Sequence, residues 1–338
     1  MTEGRSIRNK RWTIFAVLAL MYILVYFYRV SLAVVAGDIS RDLKLTPQQL
    51  GSLSGILFYV YAVAQLPLGP MIDRLGSRLV ISGSGILTAI GGILFSQADS
   101  LATAMAARVL IGIGTASVLM ATFTVFSHWF SKQEFGRVSG FMVAVGNLGN
   151  LFATAPLALA VAAVGWRSSF LAIGSLQILV TVLVFGMVRD RPPIPIPIAT
   201  TIGASGAEKT GMLAAWGDIF GRRDFWLLGI IAFAWYGNYL ALQGLWGGPY
   251  LREVLHLSRQ TAGTTLMFTS LGFITGSTVI DSIARRVFRS YKWTLLAGQV
   301  ALALLMTAFM GWAELLPQPL LMALFFAVGL AVSSGVMV

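Results

Sequence analysis

WTIFAVLALMYILVYFYRVSLAVVA, residues 12–36, decides the fold class. The run carries a single charged residue, Arg29. As a helix rising 1.5 Å per residue it is about 37 Å long, enough to cross the roughly 30 Å hydrocarbon core of a bilayer. Comparable runs recur at 48–70, 79–98, 101–126, 138–163, 168–188, 225–248, 261–280, 291–312 and 319–338. The 338 residues are 57% hydrophobic and 11% charged, with a mean hydropathy of +0.80. A soluble domain carries roughly a quarter charged residues. The chain is therefore read as an all-α polytopic membrane protein with about ten transmembrane helices. Strands of a β-barrel would alternate in hydropathy over ten-residue segments, and these runs do not.

Charge sets the orientation. Arg5, Arg8, Lys10 and Arg11 precede the first apolar run. That run is too long for a signal peptide and reads as an uncleaved first span. Seventeen Lys and Arg fall in the segments on the N-terminal side of the membrane and five on the other. The positive-inside rule then makes the N-terminus cytoplasmic. The net charge of +11 is the sum of such loops and does not call for nucleic acid. Without cysteine there is neither a disulfide framework nor thiol chemistry. The stretch RDRPPIPIPIATTIGASGAEKTG, rich in Pro, Gly and small polar residues, reads as a linker. The expected division is a six-helix N-terminal bundle at 1–188, a cytoplasmic linker at 189–224, and a C-terminal bundle of about four helices at 225–338. LTPQQLG (45–51) and LSRQTAG (257–263) open the second and eighth spans and echo one another, as a duplicated architecture requires. The second bundle reads as truncated, because the tenth span is followed by no basic loop.

A mid-membrane charge is costly and usually faces a cavity or a partner. Arg29 lies about 10 Å from the non-cytoplasmic end of its span, and spacings of four and three align Tyr22, Tyr26 and Arg29 on one helix face. A guanidinium flanked by phenols suits an anionic ligand. Arg108 in the fourth span is placed at nearly the same depth. The seventh span offers a stripe of Tyr236, Tyr239, Gln243 and Trp246. The second adds Gln65 and either Tyr59 or Tyr61. The bland alternatives are outward snorkelling of Arg29 and aromatic packing at the interface belt. No Asp, Glu or His lies in a span interior. Asp38 and Asp281 sit at span ends, and His128 and His256 in loops. No nucleophile–base set, metal cluster or phosphate loop appears, so no catalytic residue, metal or cofactor is expected.

GPMIDRLGSR (69–78), between the second and third spans, resembles the loop signature of the major facilitator superfamily through Gly69, Asp73, Arg74, Gly76 and Arg78. RVLIGIGTA (108–116), GNLGNLFATAP (146–156), HWFSKQEFGRVSG (128–140), GWRSSF (165–170) and IDSIARR (280–286) are similar to further patterns of that family. The resemblance implies two six-helix bundles that open a central cavity alternately to either side, with spans 1, 4, 7 and 10 lining it. It also implies that the 69–78 loop gates the transition, with Asp73 bracing against an eleventh helix. FYRVS resembles the branch holding organophosphate antiporters and organic anion symporters, where a first-span arginine holds the anion. The expected function is secondary transport of a small anionic organic solute by a monomer in a bacterial inner membrane. Its partners are the solute and the lipid bilayer. The alternatives are a carrier of neutral dipeptides or sugars and a transport-dead sensor on the same fold.

Overall fold

In lipid no water satisfies a bare peptide group, so each apolar run must close its own N–H and C=O groups as helix. The computed structural model describes residues 2–192, 217 and 220–337, and its regular elements there are helical. Most of the linker expected at 189–224 lies outside the described residues. The main helices are α1 (Thr2–Asp42), α2 (Pro47–Gln65), α3 (Leu68–Leu75), α4 (Ser77–Ser96), α5 (Leu101–Ala116), α6 (Val118–Trp129), α7 (Lys132–Phe152) and α8 (Ala155–Met187). Then come α9 (Arg223–Ala241), α10 (Arg259–Ile283), α11 (Tyr291–Trp312) and α12 (Gln318–Val332). Reciprocal side-chain caps start three of them: Thr46 with Gln49, Ser100 with Thr103, and Ser131 with Glu134.

α7 and α8 make one apolar run of 56 residues, Lys132–Met187. That is too long for a single crossing. Gly165, at φ 80° and ψ 164°, breaks it. Near the start of the run Glu134 pairs with Arg11 at 3.1 Å. Just past its end Asp190 accepts the backbone N–H of Arg78 at 2.7 Å, and the Arg189 carbonyl accepts the Trp129 indole at 2.7 Å. Beside the break, Trp166 and Arg167 donate to Asp42, at the other end of α1 from Arg11. The run thus crosses, turns at Gly165 and returns, which brings the crossings among the described residues to ten. The end holding Arg11 and Asp190 is here the basic face, and the end holding Asp42 the opposite face.

Three local readings change. The second span is bent by 57° between α2 and α3; Pro67 lacks the N–H that a continuous helix needs there. The 69–78 stretch is not simply a loop: Gly69, Asp73 and Arg74 lie on α3, and only Gly76, at φ 83°, makes the turn. No described atom approaches where a Cβ on Gly69 would sit, so close helix approach does not explain that glycine. Asp73 is exposed. Third, the seventh crossing continues past 248. After α9 it widens through Leu242–Trp246, takes a short turn at Gly247–Pro249, and ends at Tyr250–Val254.

α1 is the central helix, buried from Ile14 through Ile39 on most faces. On one side lie α7 and α8; on another, the widened end of the seventh crossing. There the backbones nearly touch. Gly244 lies against the carbonyl of Arg29, and a Cβ on Gly248 would collide with the carbonyl of Ala33. Gly37 lies against Arg252, and Asp38 pairs with Arg259. Toward the basic face, by contrast, α9 presents Phe225, Trp226, Ile230 and Phe233 uncovered.

Candidate functional site: a buried arginine in a ring of tyrosines

Arg29 is buried, 8% exposed, where α1 meets the seventh crossing. Its guanidinium lies 5.0 Å from the Tyr26 ring centre and 4.6 Å from that of Tyr61. Its NH1 donates to the Tyr236 hydroxyl at 3.4 Å. Tyr22 completes the group, its ring 4.9 Å from Tyr26 and its hydroxyl 3.4 Å from the Tyr26 hydroxyl. Tyr236 leads on to Tyr239, ring centres 6.1 Å apart, and Tyr239 stacks on Phe273. Of the two candidates on α2, Tyr61 faces Arg29, while Tyr59 is 74% exposed. Among the described residues no carboxylate pairs with Arg29. Aromatic faces and one long hydrogen bond therefore hold the cation. Each is an interaction a stronger acceptor can replace. Phenol hydroxyls at this spacing donate to an anion that the guanidinium pairs with.

Arg108 lies at the depth its sequence position predicts, but it does not join this cluster. It is 1% exposed on α5. Its NH1 donates to the carbonyl of Tyr28 at 3.0 Å and its Nε to that of Leu53 at 3.3 Å. It clamps α5 to α1 and α2 by their backbones. Gln243 is 1% exposed and donates to Ser270 at 2.5 Å, tying the seventh crossing to α10. Trp246 is 47% exposed and turns toward Gly51 on α2, away from the arginine.

At the basic face, Arg78 donates through Nε to the Phe185 carbonyl at 2.8 Å and lies 4.3 Å over the Phe185 ring. Its backbone N–H meets Asp190, a carboxylate at the start of α4 where the helix dipole favours it. Gly76 has room for no side chain beside Asp190.

Two buried residues escaped the sequence reading. Asn147 and Asn150, three apart on α7, are 1% and 2% exposed. Asn147 donates to the Val143 carbonyl at 3.0 Å, Asn150 to Asn147 at 3.1 Å and to the Tyr239 hydroxyl at 3.5 Å. In the sequence GNLGN stands only as part of a family-like pattern. The overlooked signal is two amides one turn apart inside an apolar span, a placement rare enough in lipid to mark a site.

Ten apolar crossings among the described residues and a polar cluster on the central helix are the marks of a multi-pass membrane protein of the transporter class. The chain belongs to the Major Facilitator Superfamily, whose family model matches residues 18–338. It is 27% identical over 311 residues to the "Probable L-galactonate transporter" of Escherichia coli, covering 87% of this chain and 68% of that protein. To the "Probable sulfoacetate transporter SauU" of Cupriavidus necator it is 26% identical, covering 82% of this chain and 66% of the relative. The "Membrane sensor protein UhpC" of Escherichia coli is 25% identical, covering 80% and 64%. The chain thus spans about two thirds of the length of these relatives. Among solved structures, a bacterial homologue of the human lysosomal transporter Spinster, inward-facing and unoccupied, matches with a TM-score of 0.72 at 19% identity, covering 96% of this chain and 73% of that one. The family is one of transporters, not enzymes.

Proposed function

We propose that the protein is a secondary carrier of a small organic anion, working by alternating access between halves at 1–188 and 225–338. The supporting observation is Arg29. It is a buried cation at the seam of the two halves, set over the Tyr26 and Tyr61 rings and bonded to the Tyr236 hydroxyl, and among the described residues no carboxylate pairs with it. An intramembrane charge kept without a partner is costly unless a ligand completes it. The names of two relatives, carriers of L-galactonate and sulfoacetate, agree with an anionic cargo. Tyr22, Tyr26, Tyr61 and Tyr236 position the anion. Tyr239 and Gln243 lie further along the same seam. Arg108 holds the frame rather than the solute, and Trp246 stands apart from it. The α3–α4 turn, with Asp73, Arg74, Gly76 and Arg78, acts on the rate of exchange at the basic face. The cytoplasmic side is the basic face, in a bacterial inner membrane, and the carrier works as a monomer.

The test is a thermal-shift panel of organic anions, neutral sugars and dipeptides on the purified protein, followed by uptake into liposomes. A ligand at a hundred times its dissociation constant adds about 2.7 kcal/mol of stability, a readable shift. Anions are expected to stabilise the wild type and not Arg29→Ala. Stabilisation by sugars or dipeptides alone would point to the neutral-solute reading. The kinship with UhpC supports a second reading, a sensor on the same fold. Anion binding without any uptake or exchange favours it.

A further inference from the structure

We infer that Asn150 and Gln243 form a hydroxyl-reading subsite beside Arg29, so that the solute is a hydroxylated carboxylate rather than a plain one. The inference rests on the anion reading above and adds to it. Its basis is a hydrogen-bond count in the apolar interior. Asn147 spends its N–H on the Val143 carbonyl, so its oxygen faces Asn150 and fixes the Asn150 amide with its nitrogen toward Asn147 and Tyr239. The Asn150 oxygen then points away with no partner, fully shielded. Gln243 uses one end of its amide on Ser270, and the other end, its Oε1, is likewise buried and unpartnered. A buried acceptor without a donor is costly and uncommon. The Asn150 and Gln243 oxygens are two of several such buried atoms among the described residues, and what sets them apart is their link to Tyr239. Asn150 touches Tyr239, whose ring neighbours Tyr236, the phenol on Arg29. Gln243 is one helical turn beyond Tyr239 and next to Gly244, which lies against the Arg29 backbone.

Asn150 sits where the helices before residue 192 meet those after 223, and Gln243 lies on the seventh crossing one turn beyond Tyr239 and beside Gly244, which meets α1. The two polar contacts that bridge this seam at the cluster are long, 3.4 Å for Arg29–Tyr236 and 3.5 Å for Asn150–Tyr239. Bonds of that length are readily exchanged. As the halves part, a carboxylate takes the Arg29 end and its chain lies along Tyr236 and Tyr239. Hydroxyl groups on that chain donate to the Asn150 and Gln243 oxygens. A plain alkyl carboxylate satisfies Arg29 but leaves both acceptors bare. A site built to accept from a substrate hydroxyl rejects the analogue lacking it far more strongly than an apolar pocket rejects an extra methylene.

The experiment compares four- to six-carbon aldonates and aldarates with alkyl carboxylates of equal length, and with sorbitol, by binding to the purified protein. The wild type is expected to prefer the best hydroxylated acid over its alkyl counterpart by at least about tenfold, and to ignore sorbitol. Gln243→Leu and Asn150→Leu should each shrink that preference toward unity, mainly by weakening the hydroxylated acid. Gln243→Met, equally long and without an acceptor oxygen, serves if a leucine variant fails to insert. Equal affinity for both sets of acids in the wild type overturns the inference and leaves the anion reading standing. A preference that survives in both variants overturns the assignment to these residues. If no carboxylate of either kind binds, the anion reading fails and the subsite falls with it.

Discussion

Two arginines lie in the apolar interior at the same depth, and their surroundings give them different work. Arg29 is held by aromatic faces and one phenol, contacts that a carboxylate outcompetes. Arg29→Ala is expected to abolish liposome uptake while the protein still inserts, and Arg29→Lys to recover little, since a point charge lacks the planar fork. Unchanged uptake by Arg29→Ala would sink the substrate role. Arg108 is bonded to two backbone carbonyls of neighbouring helices. Arg108→Ala should therefore lower the unfolding temperature, by the equivalent of about 1–3 kcal/mol. Affinity for the anion in the folded fraction should stay within a few fold of wild type. Lost affinity at unchanged stability would return Arg108 to the solute. The sequence placed both residues at the right depth but could not separate them. Rotation about the helix axis sets which one faces the seam, and that depends on packing partners far away in sequence.

Elements were legible where hydropathy runs decide them, and less so where single residues do. The ten spans follow from apolar runs and punctuation, and the turn at Gly165 from GWR. The bend at Pro67 was hidden because the apolar run continues through it. Asp190, the cap of α4, was read as the first turn of a linker because its partner is 112 residues away. The widened end of the seventh crossing also escaped, although its glycines now have a clear role. Arg29, Ala33 and Gly37 rise along α1 in steps of four and face Gly244, Gly248 and Arg252 in the same steps. Ridges of this period interlock, and small residues let the backbones meet. Asp38–Arg259 latches the end. Gly248→Leu should keep this seam from closing. A double-cysteine pair across it, Ala33→Cys with Leu245→Cys, should then lose crosslinking with a short reagent in the Leu variant. Retained crosslinking would show that the glycine is not what permits closure.

At the scale of the whole molecule the remaining question is which way the seam faces. The contacts described between α1 and the seventh and eighth crossings run from Arg29 toward Asp38, while the basic-face half of α9 is uncovered. In this state α1 and the seventh crossing are therefore in contact at the end away from the basic face. Seventeen of the Lys and Arg lie on that side against five on the other. By the positive-inside rule an imbalance of that size is expected to insert the basic face inward. The chain contains no cysteine, so a single introduced thiol reports its own exposure without background. Gln48, exposed in the first turn of α2, marks the opposite face, and Gln133, exposed at the start of α7, the basic face. In intact cells a membrane-impermeant maleimide is expected to label Gln48→Cys and to spare Gln133→Cys. In inside-out vesicles the pattern should reverse. Labelling of Gln133→Cys from outside intact cells would invert the orientation and with it the side from which the anion enters.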